Sequence, residues 1–322
     1  MPYYIYGHSI VGHAHTESMT VCRETHKWID LGNEWVIAAV ADGVGARLAV
    51  NTAVDFMARY MPVSLWEVGV LRAIYLAFNA ALIEIQRQSV CDRVSLDSFD
   101  CTLLLAAYNG ENLCYGRVGD GAIFGLTTKG NYAEITTRNT AASPLVAGDD
   151  TWVIESLDEK HRLSSVLLVT DGVRSALKPH ELGGIPRDIY VPICSLLMHP
   201  ALCRRYPQDY QRIVKDYLSC KLGSNDVYHL LSEVYAQALT SASPVEQTVR
   251  SVVQSGYVDK LMRRIQDDKT VLAIVNTGDD RVPDRVDAQY YWEPTWTEEK
   301  PKADVGRTVF APLSAGAVPP AW

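Results

Sequence analysis

The chain has no surplus of positive charge, no long apolar run and no paired cysteines, and each absence removes a class of function. Across 322 residues the formal net charge is −8. A general electrostatic grip on nucleic acid or on an anionic membrane surface is therefore not expected. No apolar stretch is long enough to cross a bilayer. The opening segment, MPYYIYGHSIVG, has no basic region ahead of an apolar core, so it does not read as a signal peptide. The seven cysteines are scattered, odd in number and without a CxxC pair. They suit free thiols in a cytoplasm better than a disulfide framework. A local motif for a Ser-His-Asp triad or a reactive cysteine is also missing.

What is present is a repeated design: an apolar run with an aspartate at one end. Residues 35–45 read WVIAAVADGVG, a buried strand that stops at Asp42, with Gly43 allowing a sharp turn. Taken alone, Asp42 reads more readily as a helix cap than as a ligand. The pattern recurs in VLLVT before Asp171-Gly172 and in residues 114–118 before Gly119-Asp120-Gly121. It appears inverted where Asp267-Asp268-Lys269-Thr270 precedes VLAIV. Four strand-end aspartates exceed what turn chemistry needs. Carboxylates brought together repel, and a cation relieves the repulsion. Oxygen donors with no His or Cys partner at ligand spacing favour magnesium or manganese over zinc. His13, His15 and His26 are irregularly spaced and read as hydrogen-bonding histidines.

The remaining pattern is α+β. Strands are expected over 3–11, 25–31, 36–41, 102–108, 113–118, 122–126, 152–155, 163–170 and 271–275. Asn109-Gly110 marks a hairpin. Two helices over 47–61 and 66–90 carry apolar stripes at helical spacing. A mostly helical region spans about 176–264, with candidates over 187–199, 207–222, 227–239 and 245–264. Residues 1–276 read as one catalytic domain. Residues 277–322 form a tail holding six of the 15 prolines together with Trp292, Trp296 and Trp322. That composition is too proline-rich for regular structure, and a strap on the domain or a partner motif both fit it.

In order along the chain stand Gly12-(x)2-His15, Cys22-Arg23-Glu24, ADGVG at 41–45, a helix pair, DCTLLLAA at 100–107, VGDGAI at 118–123, LLVTDGV at 167–173 and DDKTVLAIV at 267–275. Each motif is weak alone, but the ordered series resembles the metal-dependent type 2C protein serine/threonine phosphatases, in particular a bacterial branch. The resemblance covers about residues 5–276. It implies a four-layer α-β-β-α sandwich of two antiparallel sheets. It also implies that Asp42 bridges two Mn2+ or Mg2+ ions, that Asp171 and Asp267 complete the first site, and that the Gly43 carbonyl helps hold the second. Asp120, with Asp171, matches the ligands of a third, weaker ion, and Asp267 rather than Asp268 matches the family's ligand position. A metal-activated water would then attack phosphorus in line, with no protein nucleophile. The implied substrates are phosphorylated proteins, and the implied partner is a serine/threonine kinase.

Two positions depart from the family pattern. Arg23-Glu24 stands where an acidic or Gln residue followed by Asp is usual, so Glu24 keeps a carboxylate on a longer stem. The upstream arginine that grips phosphate is replaced by Glu-Ser-Met-Thr at 17–20, leaving Arg23 and His15 as substitutes. These departures keep a second expectation open, a catalytically weak member that binds a phosphoprotein or kinase as a regulator. A hydrolase of small phosphoesters is a third.

Overall fold

The computed structural model describes residues 3–17, 21–32, 35–64, 69–128, 130–136, 143–157, 162–177, 190–234 and 256–278. Ten strands form two antiparallel sheets. They are β1 Tyr3–Ile10, β2 Thr25–Asp30, β3 Val36–Ala41, β4 Leu103–Tyr108, β5 Leu113–Val118, β6 Ala122–Thr127, β7 Tyr132–Glu134, β8 Val153–Ser156, β9 Leu163–Val169 and β10 Lys269–Asn276. The first sheet runs β1-β10-β9-β6-β7 and the second β2-β3-β4-β5-β8.

The continuous apolar runs in the central strands follow from burial on both faces. In β3, Val36, Ala38 and Val40 face the opposite sheet, while Ile37, Ala39 and Ala41 face a helical layer. In β10, Leu272 and Ile274 point between the sheets, and Val271, Ala273 and Val275 point outward. The outer layers complete the α-β-β-α order. Helices α2 Ala46–Ser64 and α3 Val70–Asp92 cover the second sheet. The first sheet is covered by α4 Asp171–Leu177, α5 Tyr190–Met198, α6 Pro200–Arg205, α7 Tyr210–Leu218, α8 Ser224–Val234 and α9 Tyr257–Arg264. A five-residue helix α1, His13–Glu17, follows β1.

The expected strands are present, with differences at the short elements. Three-residue β7 has no run long enough to show alternation. Asp171-Gly172 does not merely end β9; it opens α4. Of the helix expected over 187–199, residues 187–189 lie outside the described residues; α5 ends at Met198 and His199 caps α6, whose first position is taken by Pro200, where a missing N–H costs nothing. Most of the tail lies outside the described residues, as do Ser18, Met19 and Thr20.

Antiparallel pairing decides where the loops go. Ala41 pairs with Thr25, Val118 with Leu103, Val169 with both Ala122 and Val271, and Lys269 with Ile10. The ends of β3, β5 and β9 and the starts of β2, β6 and β10 therefore share one rim. Every aspartate singled out above lies on it.

Candidate metal centre

Glu24, Asp42 and Asp171 meet at the centre of this rim, each offering an oxygen within 4.8 Å of the others. Three chain segments, distant in sequence, bring them there. Asp42 is fixed at the end of β3 by Thr102: the Asp42 N–H donates to Thr102 Oγ1 (3.0 Å), and the Thr102 N–H donates to the Asp42 carbonyl (2.8 Å). Gly43 has φ 114°, and a Cβ there would lie 2.3 Å from the Asp100 carbonyl oxygen. Only glycine fits this turn, because the conformation is unfavourable for an L side chain and the space is filled.

Glu24, just ahead of β2, is 5% exposed. Its Oε2 accepts from Thr170 Oγ1 at 2.7 Å. Its Oε1 is buried with no hydrogen-bond partner among the described residues, and Asp171 Oδ1 is in the same condition. A buried carboxylate oxygen left this way is costly unless something positive reaches it.

The electrostatics agree. Burial pushes Glu24 up to about 8, and the Asp42 and Asp171 charges add to this against hydrogen bonds from Thr170 and Thr270. Asp171 is raised to about 6, first by burial and then by Asp120, Asp267 and Asp42. Asp42 is raised by burial and then by Asp267, with smaller contributions from Asp120 and Asp268. Six carboxylates thus bear on one another, which is the repulsion a divalent cation removes.

The two adjacent aspartates at the start of β10 do different work. Asp268 is 1% exposed. Its Oδ1 accepts from the Gly12 N–H (2.7 Å) and pairs with His15 Nδ1 (2.9 Å), and its Oδ2 accepts from the Arg23 N–H (3.0 Å). Burial alone would raise its pKa, but these bonds prevail and hold it below the usual value. Asp268 is an anchor with both oxygens engaged. Asp267 is exposed on the rim and accepts only the neighbouring Asp268 N–H, at 2.9 Å. Arg23 is exposed beside it, and Gly43 and Asp120 are half-buried. His26 hydrogen-bonds Ser9 Oγ through Nδ1 at 2.8 Å.

Sequence reasoning did not single out Thr102 or Thr170, which hold Asp42 and Glu24. Their only local signal is adjacency to the acidic motifs, since their partners lie 60 and 146 residues away. It also missed Arg174. This side chain stands three residues after Asp171 and donates through Nη1 to the Asp120 carbonyl at 2.9 Å.

An all-oxygen donor set with two orphaned buried oxygens fits a hard divalent cation. Comparison with known proteins agrees on the family. No curated protein matches the chain by sequence. Among solved structures, PppA of Pseudomonas aeruginosa, described as a key regulatory component of its T6SS, is 16% identical with a TM-score of 0.48, covering 85% of this chain and 98% of that one. A point variant of a bacterial serine phosphatase is 9% identical with a TM-score of 0.50, covering 87% and 100%. The catalytic domain of the serine threonine protein phosphatase PstP, in complex with two manganese ions, is 13% identical with a TM-score of 0.48, covering 85% and 97%. At such identities the likeness is one of fold. The family model for protein phosphatase 2C matches residues 11–201, more than half of the sequence, and the chain belongs to that family.

Proposed function

We propose that the chain is a Mn2+- or Mg2+-dependent phosphatase that removes phosphate from phosphoserine and phosphothreonine in proteins. One observation carries the reading: Glu24, Asp42 and Asp171 each bring a carboxylate oxygen within 4.8 Å of the others, and Glu24 Oε1 and Asp171 Oδ1 are buried without a hydrogen-bond partner among the described residues. Asp42, Asp171 and Glu24 would hold the central ions with the Gly43 carbonyl, and Asp267 and Asp120 would complete the outer positions. When bound, such ions supply Lewis acidity for hydrolysis of a phosphate ester. The chain's own residues aim and hold the carboxylates: Thr102 fixes Asp42, Thr170 fixes Glu24, and Asp268 ties the Arg23 main chain to β10. Arg23, exposed on the same rim, is the candidate grip on the substrate phosphate. Free thiols at all seven cysteines suit a cytoplasmic enzyme, and a cognate serine/threonine kinase would supply the substrates.

The test is release of phosphate from a phosphothreonine peptide with Mn2+. Asp42→Ala and Asp171→Ala are expected to lose at least ~100-fold in rate, as removal of a major electrostatic element costs elsewhere. Unchanged rates would mean that the activity arises elsewhere. A second reading, a weak member acting as a phosphoprotein- or kinase-binding regulator, is favoured by the commitment of Glu24 Oε2 to Thr170, which leaves one oxygen for an ion. Calorimetric titration discriminates: no Mn2+ binding at millimolar concentration selects the regulator.

A further inference from the structure

Asp120 has the weakest local support of the carboxylates on the rim. It lies between Gly119 and Gly121, and Gly119 has φ 93°. Backbone of this kind holds a side chain's direction poorly unless something outside fixes it. The structure supplies that fixture. Arg174 Nη1 donates to the Asp120 main-chain oxygen at 2.9 Å. Its Nε donates to Glu134 Oε1 at 2.9 Å, and Nη2 meets the same oxygen at 2.8 Å. The two side chains are 14% and 17% exposed, so this ion pair is mostly shielded from solvent. Arg174 is on α4, one turn after Asp171, and its own N–H donates to the Thr170 carbonyl at 2.9 Å. Glu134 ends β7, at the edge of the first sheet. One planar guanidinium therefore joins the helix that begins with Asp171, the loop that carries Asp120 and the sheet edge.

We propose that Arg174, held by Glu134, is a positioning residue of the metal centre: it locks the Asp120 loop against the Asp171 helix, so that both carboxylates address one cation. This inference rests on the metal-dependent reading above. It concerns the outermost ion, because Asp42 and Glu24 are fixed separately through Thr102 and Thr170. Side chains that orient ligands from behind typically change metal affinity by about 10–100-fold.

The experiment is a Mn2+ titration of the full chain, followed by electron paramagnetic resonance, for wild type, Arg174→Gln, Arg174→Lys and Glu134→Gln. Arg174→Gln is expected to weaken the weakest binding step by roughly 10-fold or more while the tighter steps move less than ~3-fold. Arg174→Lys is expected to recover part of the loss, because an ammonium keeps the charge without the fork. Glu134→Gln should fall between Arg174→Lys and wild type. In metal-free protein, hydrogen exchange should speed up in Arg174→Gln at residues 119–122 and stay unchanged in β9 and β10. Equal weakening of every step, or faster exchange throughout, would reduce Arg174 to a general stabiliser and overturn the inference. A wild-type isotherm in Arg174→Gln would overturn it as well while leaving the metal-dependent reading standing. Absence of Mn2+ binding in wild type would remove both.

Discussion

The two helical layers solve the same packing problem with different chemistry. Over the second sheet, α2 and α3 have 19 and 23 residues and bury Ala49, Val50, Ala53, Val54, Met57, Ala73, Ile74, Ala77 and Phe78. Helices of this length satisfy most of their own carbonyls and need only an apolar stripe. Over the first sheet, the helices have 6 to 11 residues from α5 to α9. Four terminal carbonyls are a large share of so short a helix. Side chains from elsewhere supply the missing donors. Tyr6 donates to the Leu197 carbonyl and Tyr210 to Leu196 (2.6 Å), both in the last turn of α5, while Tyr217 ties α7 to the first turn of α9 through Val258 (2.9 Å). Lys269 Nζ donates to both Leu218 (3.2 Å) and Met262 (2.8 Å), joining the ends of α7 and α9 at the residue after Asp268. One layer is held by apolar area and the other by buried polar clamps.

Three substitutions sharpen that contrast. The largest effect is expected from Phe78→Ala, which removes a fully buried ring packed against Trp152, and should cost about 3–5 kcal/mol in denaturant unfolding. Lys269→Met keeps the stem and removes the donors. Two buried carbonyls lose their partner, for a loss of about 2–4 kcal/mol. A loss under ~0.5 kcal/mol would show that the clamp chemistry contributes little, and the contrast between the layers would fail. The smallest effect at neutral pH belongs to His199, fully buried between α5 and α6, where Nδ1 accepts the Ala201 N–H at 3.2 Å. Burial, with the Arg204 charge, lowers its pKa to about 3. The unfolded chain takes up a proton that the folded one refuses. The stability this residue contributes is therefore full above about 6.5 and is lost as pH falls toward about 3. His199→Asn keeps an acceptor for the cap and should flatten the stability–pH slope by up to ~1.4 kcal/mol per pH unit in that window. An unchanged slope would mean that the imidazole is not buried as neutral.

Much of the fold could be read in advance for the same reason that the layers differ. β3, β4, β5, β9 and β10 announce themselves because both faces are buried, and α3 because its stripe repeats over six turns. The first sheet's helices were expected as a mostly helical region over about 176–264, but not with their observed bounds. Their ends are set by partners such as Lys269 and Tyr6 that no local window contains. The acidic site was visible as aspartates at strand ends, since an apolar strand must stop where a carboxylate meets the rim. The threonine supports, the anchoring bonds of Asp268 and the Arg174–Glu134 pair were not visible. Each depends on contacts between residues 40 to more than 250 positions apart in the chain.

The bonds to Asp268 also bear on biosynthesis. β1 finds its strand partner in β10, and Gly12, His15 and the Arg23 main chain find theirs in Asp268, so this segment waits for one made about 250 residues later. A nascent chain that has passed the Asp42 and Asp171 codons but not the β10 codons holds Glu24 through Thr170 but leaves the Arg23 main chain without its Asp268 anchor. The acidic rim would then be completed in one step, after strand ten leaves the ribosome, and not by degrees during translation.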